Sequence, residues 1–289
     1  MADTVTHTLE VAAGSLVYDV TEGSTDGHRP LFLIGHPMGS SGFAALASHF
    51  PERTIVRYDP RGCERSRVAD ADHSPRQNAA DVHQLIGLLG GGPVDVFGSS
   101  GGAVTGLALV AQHPDDVAIL VAHEPPILAV LPDARLVREA FRQVTGDYHE
   151  HGFGAGMARF IILTSIEGEF TARHLELPAP DPARFGLPTR DDGGRDDVLL
   201  SGVSDPVIDF ELDANAVTAA PTRVVIAAGV ESRTRVPGRA AGEVARILGG
   251  ELALFPSHHG GFSGGDGPYA GQPEAFATAL RRVLSTAGP

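Results

Sequence analysis

Apolar residues along this chain fall into two alternating patterns. Short runs rich in β-branched and aromatic residues recur at Ser15–Val20, Leu31–Gly35, Thr54–Tyr58, Val94–Phe97, Ile119–Ala122, Arg223–Ala227 and Glu251–Phe255. Between them, apolar positions return every three or four residues. Ala79, Val82, Leu85, Ile86 and Leu89 form one such series, and Phe276, Leu280, Val283 and Leu284 form another. The short runs predict buried strands, and the three-to-four spacing predicts helices with one apolar face. Pro237 and Pro273 stand where helices can begin, because a first-turn N–H has no partner to lose, and Gly249–Gly250 stands where one is expected to stop. Strands alternating with helices predict a mostly parallel sheet covered on both faces, so the fold class is α/β.

The alternation stops between about Pro126 and Asn215. Amphipathic stretches at Leu131–Gly146 and Phe153–Glu167 and a polar loop at Gly186–Asp197 replace the strands, and the strand pattern resumes at Pro221. We read residues 126–215 as a helical cap inserted into a core made of residues 1–125 and 216–289.

Composition narrows the function. The 289 residues are 42% hydrophobic and 20% charged, which is ordinary for a globular protein. Basic residues number 22 against 36 acidic ones, a net charge of −14, and all the basic residues are arginine. Nucleic-acid binding rests on neutralising phosphates, and no basic block is present, so neither nucleic acid nor an anionic membrane surface is an expected partner. The cap stretch alone holds 16 acidic and 8 basic residues, −8 of the −14, which favours a neutral small-molecule substrate over an anionic one. One cysteine, Cys63, excludes an internal disulfide and leaves no cysteine-based zinc motif. No run of 18 apolar residues and no leader pattern occurs, so a soluble, cytoplasmic chain is expected. No cofactor or metal is expected, and oligomeric state stays open.

The most informative string is Val94-Asp95-Val96-Phe97-Gly98-Ser99-Ser100-Gly101-Gly102-Ala103. A strand pattern runs into Gly-x-Ser-x-Gly, and a helical pattern follows at once, which is the strand–turn–helix setting of a nucleophile elbow with Ser100 at its tip. The N–H groups at the helix start face the position of a developing oxyanion. A serine nucleophile needs a base. In this arrangement the histidine comes late, between the last strand and the last helix, where Phe255-Pro256-Ser257-His258-His259-Gly260 lies. His258 and His259 both qualify.

These pieces resemble the α/β-hydrolase superfamily over nearly the whole chain outside the cap. Leu31-Phe32-Leu33-Ile34-Gly35-His36-Pro37-Met38-Gly39 resembles its strand ending in a His-Gly-x oxyanion loop, with Ile34 where histidine usually stands. Tyr58-Asp59-Pro60-Arg61-Gly62-Cys63-Glu64-Arg65-Ser66 is similar to the Asp-x-Arg-Gly-x-Gly-x-Ser loop, with Glu64 in place of a glycine. The segment ending His258-His259-Gly260 resembles Pro-Gly-x-His, with Ser257 in place of its glycine, which makes His259 the family histidine. Gln272-Pro273-Glu274-Ala275-Phe276 resembles the opening of the last helix. The resemblance implies an α/β-hydrolase fold, a Ser100–His259 pair, and an oxyanion hole made by the N–H groups of Gly101 and His36.

The triad's acid has two candidate places. In much of the superfamily it follows the strand written here Val224–Gly229, where this chain has Gly229-Val230-Glu231-Ser232: a serine at the expected position and a glutamate one residue early. The other place follows the strand after the nucleophile, where Val121-Ala122-His123-Glu124-Pro125-Pro126 ends. The latter resembles zearalenone lactone hydrolases and, at the glutamate, some haloalkane dehalogenases. Glu124 is favoured and Glu231 is the alternative. The implied activity is hydrolysis of an ester or lactone of a small neutral substrate through an acyl-enzyme. The same residues also serve carbon–carbon hydrolysis or cofactor-free perhydrolysis, and a non-catalytic small-molecule binding protein is a further alternative. Phe153, Met157, Phe160, Ile161 and Leu163 are read as cap core or as the ceiling of a pocket, and Gly264–Gly267 with Pro268 as a lengthened loop after the histidine.

Overall fold

The computed structural model describes residues 3–285 apart from 26, 70–71 and 267–269. Gly267 and Pro268 of the loop just named therefore lie outside the described residues. Among the described residues nine strands form one sheet: β1 (Thr4–Val11), β2 (Gly14–Thr21), β3 (Leu31–Ile34), β4 (Ile55–Tyr58), β5 (Arg67–Val68), β6 (Val94–Ser99), β7 (Val117–His123), β8 (Arg223–Gly229) and β9 (Ala253–Phe255). Their order is β1-β2-β4-β3-β6-β7-β8-β9, with β5 on the edge of β2. Pairing is antiparallel wherever β2 takes part and parallel from β4 to β9.

Strand side chains alternate between faces, so each strand feeds two cores. Phe32 and Ile34 of β3 point into one and Leu31 and Leu33 into the other; Leu120 and Ala122 of β7 are likewise separated from Ile119 and Val121. This is why the central strands read as continuous apolar runs. Helices α1 (Ala44–Ala47), α2 (Pro75–Leu88) and α3 (Gly101–Gln112) precede the break in the strand pattern. Between β7 and β8 come α4 (Ala134–His151), α5 (Phe153–Ser165), α6 (Ala172–Leu175), α7 (Asp205–Ile208) and α8 (Ala214–Ala219); α9 (Val236–Ile247) and α10 (Pro273–Ser285) follow β8 and β9. Residues of α2, α3, α8 and α9 cover one face of the sheet, and those of α1 and α10 the other.

A third cluster lies outside the sheet. Val137, Ala140, Val144 and Tyr148 of α4 pack with Leu163 of α5, Phe170 and Leu200, and meet Val236 and Ala240 of α9. No strand lies between β7 and β8 among the described residues, as the loss of alternation there predicts. The apolar runs locate seven of the nine strands but not β1 or β5. β1 is an edge strand with six of its eight residues exposed, and β5 has two residues, so neither carries an apolar pattern. No helix among the described residues is long and apolar enough to cross a membrane.

Parallel strands put the loops after β3, β6, β7, β8 and β9 at one edge of the sheet. The chain leaves β3 toward α1 on one face and β6 toward α3 on the other, and a crevice opens where that winding reverses.

Candidate active site

The turn from β6 into α3 is tight enough to fix its composition. Ser100 has φ 55° and ψ −124°, a left-handed conformation that costs energy for a residue with a side chain. A β-carbon on Gly102 would sit 2.1 Å from the Ile34 carbonyl oxygen, and one on Gly98 would sit 2.5 Å from that of Gly102. Only glycine lets α3 start so close to β3. The hydroxyl of Ser100 therefore faces the crevice, while Ser99 ends β6 inside the protein with its Oγ 3.3 Å from His123 Nδ1.

At the end of β7 the backbone is strained again: Glu124 has φ 52° and is fully buried. Both of its carboxylate oxygens are engaged. Oε1 accepts from Gly229 N at 2.8 Å and from the hydroxyl of Ser232; Oε2 lies 2.5 Å from His259 Nδ1. Burial alone would raise this carboxyl's pKa, but the charge and hydrogen bond of His259, with smaller contributions from His123 and Ser232, hold it at about 2. An ionised carboxylate has no proton to give, so His259 Nδ1 is the donor and Nε2 carries the free lone pair when the ring is neutral.

His123 is fully buried among Phe97, Phe255, Phe262 and Phe276, and burial pushes its pKa down to about 4. It remains neutral beside Glu124, whose hydrogen-bonded imidazole partner is His259. His258 turns the other way: its Nδ1 accepts from Gly260 N at 3.0 Å, and its Nε2 is buried without a partner. Glu231 is exposed on the crevice rim, and its backbone N–H donates to Ser257 O at 3.1 Å. Among the described residues its carboxylate makes no ion pair with either histidine.

The loop after β3 abuts the start of α3, where a β-carbon on Gly101 would lie 2.7 Å from His36 O. Among the described residues the N–H groups of His36 and Gly101 donate to no other backbone group, and both residues line the crevice. Two carboxylates hold this loop in place. Asp59 accepts from Ser40 N at 2.8 Å, and Glu64 accepts from Gly39 N at 3.2 Å and from Ser41 Oγ at 2.7 Å. Glu64 keeps the left-handed backbone, φ 44°, of the glycine expected there and adds a carboxylate that ties down the neighbouring loop.

Ser100, Gly101, His36, His258, His259 and Glu231 line one cavity of about 450 Å³. Leu128, Phe141, Val144, Phe160, Ile161 and Leu199 give it apolar walls. Of the α5 residues with two readings, Phe160 and Ile161 reach the cavity, while Phe153, Met157 and Leu163 pack in the third core. Ser100 Oγ and His259 share the cavity without a direct hydrogen bond among the described residues; such contacts commonly tighten only when substrate is bound.

Four features were not visible in the sequence pattern. Ser232, at the position usual for the acid, instead donates to Glu124, the favoured candidate at the other location. Arg235 reaches the cavity wall. His73 brings its Nδ1 to 3.4 Å from His36 Nε2, and Cys63 lies with both in a buried group whose candidate ligand atoms are within 4.8 Å of one another. His83, His113 and Asp116 form a second such group, partly exposed. Spacing along the chain predicts neither group, because each joins residues from separate segments, loops in the first case and helix α2 with the loop after α3 in the second. His36 is held neutral, first by burial and then by His73, with its pKa pushed down to about 3. Its backbone N–H is thus the part of the residue that can serve an anion.

Comparison with known proteins matches this geometry at the level of fold. The family described as alpha/beta hydrolase fold matches residues 30–161, which contain Ser100, Glu124 and His36. The uncharacterized hydrolase YraK of Bacillus subtilis (strain 168) is 29% identical over 262 residues, covering 89% of this chain and 90% of its own. The enol-lactonase of Burkholderia xenovorans LB400 superposes with a TM-score of 0.65 at 18% identity, over 97% of this chain and 100% of its own. A thermophilic esterase from Thermogutta terrifontis gives a TM-score of 0.64 at 18% identity, over 99% and 100% of the two chains. At such identities the two structures speak for the fold alone.

Proposed function

We propose that this chain, whose residues 30–161 match the alpha/beta hydrolase fold family, is a hydrolase that cleaves a small ester or lactone through an acyl-enzyme on Ser100. The observation that carries this reading is the occupancy of Glu124: a fully buried, ionised carboxylate with one oxygen on His259 Nδ1 and the other on Gly229 N and Ser232. That arrangement fixes the tautomer in which His259 Nε2 can accept a proton, and it favours the charged ring that results.

In the first half-reaction Ser100 Oγ attacks the acyl carbon as its proton passes to His259 Nε2. The carbonyl oxygen becomes an oxyanion within reach of the free N–H groups of Gly101 and His36. Collapse breaks the bond to the alcohol, which leaves with the proton from His259. In the second half-reaction a water gives its proton to His259 and attacks the acyl carbon; Ser100 regains its proton as the acid product departs. For a lactone the alcohol and acid stay in one molecule.

Residues 126–215 act as a cap over a core of 1–125 and 216–289, with α4, α5 and the chain near Leu199 supplying the apolar ceiling. The lactone arm is supported by the local likeness of Ser100 and His123-Glu124 to zearalenone lactone hydrolases. A panel of chromogenic esters and small lactones, run on the wild-type protein and on Ser100→Ala, tests the reading. Hydrolysis by the wild type and its loss in a folded Ser100→Ala protein is the expected result. Undiminished hydrolysis by Ser100→Ala contradicts it.

A further inference from the structure

The arginines that enter the interior of this protein are met by carboxylates. Arg53 pairs with Asp95, Arg61 with Asp81, Arg159 with Asp147 and Arg239 with Asp133. Arg235 does not follow that rule. It is half-buried on the wall of the cavity that Ser100 and His259 line, and its Nε is sealed from solvent without a partner. Neither of its terminal nitrogens makes a hydrogen bond or ion pair among the described residues. In a chain with 36 acidic and 22 basic residues, an unpaired guanidinium inside a cavity is the anomaly.

Its backbone, by contrast, is tied down. Arg235 N donates to Ser232 O at 2.9 Å, its own carbonyl accepts from Arg239 N at 2.8 Å, and it forms an isolated antiparallel bridge with Glu167. The loop is the one whose Ser232 hydroxyl holds Glu124. Arg235 is therefore carried on the same short segment that fixes the His259–Glu124 pair. The other charged side chains on the cavity wall are Glu231 and Asp205, both exposed, and neither lies within ion-pair distance of Arg235. Asp205 instead faces Asp209, Arg142 and Arg138.

A guanidinium offers a planar fork of donors that matches two carboxylate oxygens, and removing it partly from water without a partner is unfavourable. A neutral carbonyl could take one N–H but would leave the charge uncompensated. We propose that Arg235 is a specificity-determining residue that binds a carboxylate on the substrate, so that the preferred substrates are small esters or lactones bearing a carboxylate apart from the bond that breaks. The proposal rests on the acyl chemistry assigned to this cavity above. It replaces the neutral substrate expected from the acid surplus of the cap. Exposed charges are screened over about 10 Å at ordinary salt, whereas Arg235 acts at contact.

The test compares p-nitrophenyl hemiglutarate with p-nitrophenyl pentanoate, two esters of similar shape that differ by one carboxylate. In Arg235→Gln the ratio of kcat/KM for the charged ester to that for the neutral one falls by about 10- to 100-fold, the loss of charge-assisted hydrogen bonds. Arg235→Lys restores part of the ratio. A structural role would lower both esters together and leave the ratio unchanged, which overturns the proposal. Binding of glutarate to the Ser100→Ala protein, measured by calorimetry, supplies a readout that needs no turnover. It weakens at least about 10-fold when Arg235→Gln is added; equal binding overturns the proposal even if ester hydrolysis is intact. Failure of the wild type to hydrolyse either ester would count against the acyl reading, and the calorimetric arm would still decide Arg235.

Discussion

Replacing Glu124 by glutamine changes one oxygen for an NH2 group and leaves shape and volume almost intact. The consequence follows from what each carboxylate oxygen touches. Gly229 N is a backbone donor that cannot change sides, and it holds Oε1 at 2.8 Å together with the Ser232 hydroxyl. The amide oxygen of glutamine must take that place, so its NH2 group turns to His259 Nδ1, which the carboxylate meets at 2.5 Å. Two donors cannot face each other, so His259 has to present a lone pair at Nδ1 and move its proton to Nε2. The nitrogen that should accept the proton of Ser100 then already carries one. A wrong tautomer with intact geometry costs about 10⁴ in kcat, or about 5.4 kcal/mol of transition-state stabilisation. KM should change only a few-fold, because Glu124 is buried behind His259 and does not reach substrate. The assay is steady-state hydrolysis of a chromogenic ester at neutral pH, with circular dichroism to confirm folding. Glu231→Gln is the control and should stay within about three-fold of wild type, since surface substitutions without partners have small effects. More than a tenth of wild-type kcat in Glu124→Gln, or loss of activity in Glu231→Gln alone, would refute the reasoning.

Three further outcomes follow from the same geometry. Stability should fall in acid. His36 and His123 are neutral in the fold, with pKa values pushed by burial from 6.5 to about 3 and about 4, so the unfolded chain binds protons that the folded chain refuses. The stabilisation is complete above pH 6.5 and is lost as pH falls toward those folded values. The loss amounts to roughly 5 kcal/mol for the pair by about pH 4.5. Glu124, lowered from 4.5 to about 2, adds to the loss only below pH 4.5. Urea unfolding at pH 7 and in mild acid measures the difference, and equal stability at both would contradict the burial argument. Ser232→Ala removes one donor from Glu124 but leaves Gly229 N and His259 in place, so kcat should drop about 10-fold, near one charge-assisted hydrogen bond, while KM holds. Gly102→Ala puts a methyl group 2.1 Å from the Ile34 carbonyl oxygen, and thermal unfolding should show at least about 3 kcal/mol of destabilisation or no folded protein.

The apolar pattern made six interior strands, the edge strand β9 and the two long helices α4 and α5 legible, because burial on both faces leaves a continuous run and burial on one face leaves a stripe. It could not show β1, whose side chains are mostly exposed and whose place comes from eight residues of antiparallel pairing with β2. Helix ends differ by a few residues: the amphipathic stretch Leu131–Gly146 becomes α4 at Ala134–His151, where a left-handed Gly152 ends it. At the site, glycine spacing pointed to Ser100 and chain order pointed to the histidine pair. The pairing of Glu124 with Ser232 was not legible, since it joins residues 108 apart across two strand ends. Arg235 and the His36–Cys63–His73 group were hidden for the same reason. Loops have no periodicity to report which side chains they bring together.

The central claim is covalent: an acyl group passes through Ser100. Its most direct measurement is the mass of the protein quenched in acid during turnover of a slowly hydrolysed ester, followed by peptide mapping. The account predicts an increase equal to the acyl group, carried by the peptide that contains Ser100. It also predicts a larger adduct fraction when deacylation is slowed, and none in Ser100→Ala. Turnover with no adduct under any quench, or an adduct on another residue that persists in Ser100→Ala, would contradict it.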